Sequence, residues 1–226
     1  MSAAKILYGD YMRDGVELRH CDSSHDFADS LPAGALHILL NLEGSGILFS
    51  HHLRVSLSPN TMVVFHRASG ERLSAHRLGD HLHSNRFLIL SATTHWIMKT
   101  FGSRQDALHP ALRDILANTP SASTALGKVR SMSLAEREIA ADLLAPPVTT
   151  AAKRFWYLAK VLEILTHHLF ASADLAHPEH FCSKVKRNTR ERAEQAISWL
   201  KDHLDQPLDL HSMSRQIGCA PHYLSR

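Results

Sequence analysis

Histidine is the residue type in this chain with the most evident capacity for chemistry. There are 18 histidines among 226 residues, with close pairs at His51–His52, at His81 and His83, and at His167–His168. Imidazole binds metals when several ligands converge on one point with carboxylate or carbonyl support. His81 and His83 could share one face of a strand, but Gly79–Asp80 beside them predicts a turn. Because no Glu and His follow at a spacing that completes a ligand set, we expect no metal and interpret most of these residues as surface or loop histidines.

The sequence contains no other arrangement that would support catalysis. There is no Ser/His/Asp set, no glycine-rich loop suited to a phosphate, and no spaced pair of carboxylates. We therefore predict that the protein is not an enzyme, with no catalytic residues and no cofactor.

Composition and cysteine usage indicate the class of protein. With 44% hydrophobic and 21% charged residues, the chain fits a soluble globular protein with one large or two moderate domains. No apolar run approaches the roughly 18 residues of a membrane span, and the N-terminus lacks a secretory segment. Cys21, Cys182 and Cys219 are scattered without a CxxC spacing. This usage is typical of a reducing cytoplasm and argues against disulfides or a zinc site.

The last forty residues predict a series of short amphipathic helices. Asn188 and Glu191 fit an N-terminal cap with a reciprocal carboxylate. The apolar residues that follow lie on one helical face, which we expect to point inward: Ala193, Ala196, Ile197, Leu200 and Leu204.

A second and a third helix follow after Pro207. Asp209 can cap a helix with Leu210, Met213 and Ile217 on its inner face, Gly218 suits its end, and Pro221 suits the first turn of the next helix. A helix, a short turn with glycine and a second helix is the spacing of a helix-turn-helix unit. An ordinary helical bundle without DNA-binding activity has the same periodicity.

The run PLDLHSMSRQIGCAPHYLSR, residues 207–226, resembles the DNA-binding domain of the AraC/XylS family of bacterial transcription regulators. The resemblance implies a seven-helix domain with two helix-turn-helix units that bind promoter DNA. It implies base contacts from His222, Ser225 and Arg226, and arginine is suited to the guanine edge. The chain departs from the family at Ser214, where Ala is usual, and at Ala220, where a Ser cap is usual.

The resemblance covers only part of that domain. The chain contains six residues of the recognition helix and no second unit, so residues 189–226 are predicted to be a partial domain, marginally stable and weak or inactive in DNA binding. Residues 1–180 carry 17 basic and 17 acidic side chains, whereas residues 181–226 carry 8 and 5, which accounts for the net charge of +3. The basic run at 184–190 fits either phosphate contacts or a solvated linker.

Residues 35–92 have the pattern of an antiparallel β domain. Short β-like runs such as ALHILLNLE, TMVVFH and NRFLILSA alternate with turn signals. Val55 and Leu57 alternate with serines, as in a half-buried strand, while residues 36–42 are almost continuously apolar, as in a strand covered on both faces. This region resembles the cupin-like sensor barrel of AraC-type regulators.

Helices are predicted after Thr93. Ser133 and Glu136 form a capping box, and a long helix is predicted over residues 150–171, with an apolar stripe of Phe155, Leu158, Leu162, Leu165 and Leu169. The stripe fits either packing within the chain or dimerisation, which the family resemblance favours at this position. The sequence APP…RFWYLAKVLEIL is also similar to a subgroup of regulators that respond to siderophores such as pyochelin.

The sequence thus predicts an α+β protein, with a cupin-like antiparallel β barrel, a helical connector and a partial helix-turn-helix domain. The predicted segments are a ligand-sensing domain at 1–100, a connector and dimerisation region at 101–171, a linker at 172–188 and the DNA-binding segment at 189–226. We expect a cytoplasmic, ligand-responsive transcription regulator of the AraC/XylS type that forms a homodimer, with an unidentified small-molecule effector. Two alternatives remain: a stand-alone effector-binding and dimerising module, and a cupin-type metal-binding enzyme.

Overall fold

The chain divides into two compact units. The computed structural model describes residues 4–23, 31–78, 85–118, 124–170, 193, 195–201, 203 and 209–217. Unit 1 comprises residues 1–171 and unit 2 comprises residues 172–226. The predicted linker, residues 172–188, lies outside the described residues.

Unit 1 contains two antiparallel sheets that pack face to face. The larger sheet has the order β1-β2-β8-β3-β6-β10, with β9 also paired to β6, and the smaller has the order β5-β4-β7. The strands are β1 (Lys5–Asp10), β2 (Val16–Ser23), β3 (Ala35–Glu43), β4 (Ser45–Phe49), β5 (Arg54–Leu57), β6 (Thr61–Arg67), β7 (Ser74–Leu78), β8 (Asn85–Thr93), β9 (Thr124–Ala125) and β10 (Arg130–Ser131).

Five helices accompany these sheets. They are α1 (Tyr11–Asp14), α2 (Thr94–Phe101), α3 (Pro110–Asn118), α4 (Leu134–Leu144) and α5 (Lys153–Leu169), with a 3-10 turn at Gly102–Ala107. The predicted capping box is confirmed at α4, where the Ser133 hydroxyl accepts from the Glu136 amide and the Glu136 carboxylate accepts from the Ser133 amide. The predicted α+β class, a β-rich N-terminal half followed by helices, is confirmed.

The large sheet separates two hydrophobic cores. Its inner face packs on the small sheet through a cluster that includes Leu39, Leu48, Phe65 and Phe87. Its outer face packs on the helices, mainly on α5. Strand β3 is central and buried over its first seven residues, as the nearly continuous apolar run predicted. Hydrophobic burial on both faces therefore fixes the register of this strand.

The inner face of α5 differs from the predicted stripe. Its buried residues are Tyr157, Val161, Ile164, Leu165 and Leu169. Phe155 is 74% exposed, because it lies about 120° around the helix from Val161. Phe155 therefore does not pack within the described part of the chain, which leaves dimerisation as the remaining interpretation for this side chain.

Unit 2 has a small apolar core among its described residues. Residues 195–201 are helical (α6), and a second helix, α7, spans Leu210–Ile217. Trp199, Met213 and Ile217 are buried together, with Ala196 and Leu210 packed beside them.

The inner face of α6 also corrects the prediction. Ile197 is 49% exposed and Leu200 is 41% exposed, so these side chains do not face the core. Residues two apart on a helix point about 160° away from each other, so the burial of Trp199 turns Ile197 outward. Leu204 and the Asn188–Glu191 cap lie outside the described residues.

Strands β1 and β2 were not predicted from the sequence. In β2 Val16 and Leu18 alternate with Glu17 and Arg19, but His20 and then Cys21 interrupt this alternation. None of the helices in the described parts of the chain is long and apolar enough to span a membrane.

Candidate functional site

The outer face of the small sheet forms a groove of about 470 Å³ in unit 1. Leu48, Val55 and Ala75 point into the core between the sheets, so their neighbours along each strand point outward. The groove is lined by Ile47, Phe49, Ser50, His51, His52, Leu53, Arg54 and His76. A volume of this size is in the range of small-molecule sites.

Register places the groove residues side by side. Ile47 on β4 lies opposite His76 on β7, and Phe49 lies opposite Arg54 on β5. The Phe49 and His76 rings are 5.1 Å apart at their centroids, tilted by 30°. Ile47 and Phe49 therefore form the floor of the groove, with the His76 imidazole on one side and the Arg54 guanidinium on the other.

The turn between β4 and β5 closes one end of the groove in a fixed conformation. The Ser50 hydroxyl accepts from the amides of His52 at 3.2 Å and Leu53 at 3.1 Å, and the Ser50 amide donates to the Leu53 carbonyl at 2.7 Å. The His51 and His52 rings meet edge to face, with centroids 4.5 Å apart. The turn thereby holds two exposed imidazoles beside the floor.

A second polar cluster is buried between the two sheets. His37 is fully buried, with Nδ1 at 2.9 Å from the Ser91 hydroxyl and Nε2 at 3.0 Å from the Pro32 carbonyl. Since a carbonyl only accepts, Nε2 donates to Pro32, and in the neutral ring Nδ1 accepts from the Ser91 hydroxyl. Burial lowers the pKa of His37 to about 3. On β2, opposite Ser91, buried Glu17 forms an ion pair with Arg19.

Three side chains hold the segment 31–34 across one end of the sheets by hydrogen bonds. Its backbone is tied by His37 at the Pro32 carbonyl, by Arg67 at the Leu31 carbonyl and by the Tyr11 hydroxyl at the Ala33 carbonyl, 3.2 Å away. These bonds satisfy buried polar groups, so we assign the cluster a structural role.

A third cluster joins the large sheet to the helices. Glu136, at the start of α4, accepts from Arg130 of β10 at 2.8 Å and lies 3.4 Å from Nε2 of His168 on α5. Burial raises the pKa of Glu136, but the hydrogen bonds from Arg130 and Ser133 outweigh it and hold the pKa below its ordinary value. Burial lowers the pKa of His168 to about 4, against the opposing effect of Glu136.

Unit 2 presents the helix expected to precede a recognition helix. Asp209 caps α7, as predicted, by accepting from the amides of His211 at 2.9 Å and Ser212 at 3.2 Å. Met213 and Ile217 face inward, as predicted. Trp199 stacks on His203 with ring centroids 4.1 Å apart.

The predicted DNA-contacting residues, His222, Ser225 and Arg226, lie outside the described residues, as do His81 and His83. Within the described parts of the chain, no three His, Cys, Asp or Glu side chains are placed to hold a metal ion. The thiol of Cys21 is buried, which raises its pKa to about 11.

Sequence reasoning did not identify the groove. His51 and His52 stood out as a pair, but the contribution of His76 and the floor residues comes from strand pairing. The alternation of Ile47 and Phe49 with buried Leu48 was the available signal, although it does not reveal which strands lie alongside.

Comparisons with solved structures find distant similarity only. ToxT of Vibrio cholerae, as its K231A variant, is 12% identical over 93% of this chain and 91% of that one, with a TM-score of 0.43. A cupin-2 domain protein of Shewanella frigidimarina is 10% identical over 40% and 79%, with a TM-score of 0.28. At these TM-scores the likeness assigns no ligand, activity or residue role to this chain.

A search of curated proteins finds no significant match. In contrast, a protein-family model matches residues 10–181, which include nearly all of unit 1. That model describes the N-terminal domain of the regulatory protein PchR. The match covers more than half of the chain, and it confirms the coarser prediction that the chain is a regulatory protein. The chain belongs to the family of the PchR regulatory N-terminal domain.

Proposed function

We propose that this protein is a transcription regulator that responds to a small-molecule effector, with unit 1 as sensor and unit 2 as the DNA-binding part. The observation that carries the proposal is the family match over residues 10–181 to a regulatory N-terminal domain. The groove supplies unit 1 with a concave surface for an effector. Effector binding alters DNA binding only if its affinity differs between two arrangements of the protein.

The DNA-reading step is proposed for the residues that follow α7. The Asp209 cap and the burial of Met213 and Ile217 support a folded helix immediately before them. His222, Ser225 and Arg226 then provide base contacts, with Arg226 suited to guanine.

DNA binding by this 226-residue chain is proposed to be weak. The positive charge that would attract phosphates is small, since residues 181–226 carry 8 basic and 5 acidic side chains.

Homodimerisation is proposed for the exposed side of α5. Phe155 is 74% exposed there, with Leu158 and Leu162 half-buried on the same side. Sedimentation velocity tests this step: Phe155→Ser should weaken self-association, while Met12→Ser, at a side chain that is 89% exposed elsewhere, should not. Equal association of both variants would refute the α5 interface.

The main test is binding to the promoter region beside the gene, measured over a range of salt concentrations. Specific binding by a version carrying a complete AraC-type C-terminal domain, with a steep salt dependence, is expected because lysines and arginines displace counterions from phosphates. Arg226→Ala should weaken the sequence preference, and Arg113→Ala, on an exposed residue of α3, is the control. If neither the chain nor the extended version binds, the function is that of an effector-binding module.

A further inference from the structure

We propose that the groove on the outer face of the small sheet binds a small aromatic anion, such as an aryl carboxylate. This inference names the effector class for the sensing half of the proposed function and in that respect rests on it. The site itself is distinct from the buried cluster around His37 and from the helix-turn-helix segment.

The floor of the groove is suited to a flat apolar body. Ile47 and Phe49 project from alternate positions of β4 and are both half-buried, while Leu53 is buried at the closed end. The centroids of the Phe49 and His76 rings are 5.1 Å apart, so two aromatic rings in contact line the groove. Aromatic rings associate with such faces by offset or edge contacts.

The rim of the groove selects for negative charge. The lining includes one guanidinium, that of Arg54, and three imidazoles, but no acidic residue. In the described part of the chain Arg54 is exposed and has no carboxylate partner, unlike Arg19, Arg86 and Arg130.

Strand register brings the charge and the floor together. Arg54 lies directly opposite Phe49 across the β4–β5 pair. Side chains at directly opposite positions have Cβ atoms about 5 Å apart. A ring on Phe49 would therefore place its carboxylate within reach of the guanidinium, which can donate two parallel hydrogen bonds to it.

The turn makes this arrangement rigid before binding. Ser50 fixes residues 50–53 through two accepted hydrogen bonds and one donated bond. His51 and His52 are thus held at the end of the groove as imidazole donors. A preformed site avoids part of the entropy cost of ordering on binding.

The test is isothermal titration of the full chain with 2-naphthoate and, as an uncharged analogue of similar shape, 2-naphthalenemethanol. We expect 2-naphthoate to bind about five- to tenfold more tightly than the alcohol, a ratio that an exposed charge-assisted contact would give. Arg54→Ala should abolish this preference and leave the affinity for the alcohol within about twofold. Ile47→Thr should weaken both ligands by a similar factor, because it reduces only the apolar floor.

Arg113→Ala is the matched control, since it removes an exposed arginine from unit 1 outside the groove. Circular dichroism verifies that each variant is folded. The proposal is overturned if the two ligands bind equally, if neither binds at millimolar concentration, or if Arg54→Ala retains the preference. It is also overturned if Arg54→Ala disperses a self-associated form, because the groove would then hold a second copy.

Failure of this inference and of the proposed function can be told apart. The titrations contain no DNA, so absent binding refutes the groove as the site. If 2-naphthoate binds with the expected preference but leaves promoter binding by the extended protein unaltered, the regulatory function is refuted while the site stands.

Discussion

Acidification from pH 7 to pH 5 should destabilise unit 1 through His37 and His168. Burial lowers the pKa of His37 to about 3 and that of His168 to about 4. In the unfolded chain both imidazoles titrate near their ordinary pKa of about 6.5. The unfolded state therefore gains protons as the pH falls below this value while the native state does not.

The sign and size of the effect follow from proton linkage. The stability that depends on each imidazole is fully present above the pKa of that histidine in the unfolded chain. It is lost as the pH falls from there towards the pKa of the histidine in the folded protein. For each histidine the free energy of unfolding should fall by about 2 kcal/mol between pH 7 and pH 5, or about 4 kcal/mol together. Glu136 has a folded pKa below its ordinary value, so its contribution is lost at lower pH, below the window used here.

Urea unfolding at pH 7, 6 and 5, followed by tryptophan fluorescence, measures this loss. A Trp199→Phe background removes the tryptophan of unit 2, so that Trp96 and Trp156 report on unit 1. His37→Gln and His168→Gln should each reduce the loss between pH 7 and pH 5 by about 2 kcal/mol, whatever their stability at pH 7.

Met12→Gln, at an exposed position, tests whether an added glutamine alone alters the pH dependence. A loss below about 1 kcal/mol in the unsubstituted chain would refute the inference that both imidazoles stay neutral in the native state. The same conclusion would follow if both histidine variants kept the full pH dependence.

Three further changes test the packing and one helix cap. Asp209→Ala should destabilise α7, seen as faster amide hydrogen exchange, whereas Asp209→Asn should keep most of the protection; equal exchange in both would contradict the cap. Phe65→Ala should cost about 3–5 kcal/mol in urea unfolding because the ring is fully buried between the sheets, and a cost below about 1 kcal/mol would refute that packing. Gly9→Ala should destabilise the protein by more than the about 1–2 kcal/mol expected for Gly34→Ala. Both glycines have positive φ, but only a Cβ at Gly9 would clash with the Val16 carbonyl oxygen, 2.2 Å away. Equal losses of stability in thermal unfolding would exclude this clash.

The sequence determined the local features whose partners lie within a few residues. The capping box of Ser133 and Glu136 and the Asp209 cap were both predictable, because a side chain that bonds an amide two or three residues away needs no tertiary contact. The double-sided burial of β3 was also evident, since a nearly unbroken apolar run has no face suited to water.

Only the tertiary structure decided which side of an apolar helix faces inward. The stripe of α5 covers enough of the surface that several faces were acceptable, and contact with the sheet selected the one through Val161 and Leu165. Phe155 was thereby left exposed. In α6 the burial of Trp199 likewise placed Ile197 on the outside, although both are apolar.

The groove and the buried histidines depended entirely on long-range pairing. Arg54 and His76 are distant in sequence but flank the same strand, and only the order β5-β4-β7 brings them to one surface. His37 is neutral because it is fully buried, and nothing in its immediate sequence indicates that Ser91 and Pro32 lie beside it. Periodicity specifies which residues share a face of an element, whereas the neighbour of that face is set by the packing of the whole chain.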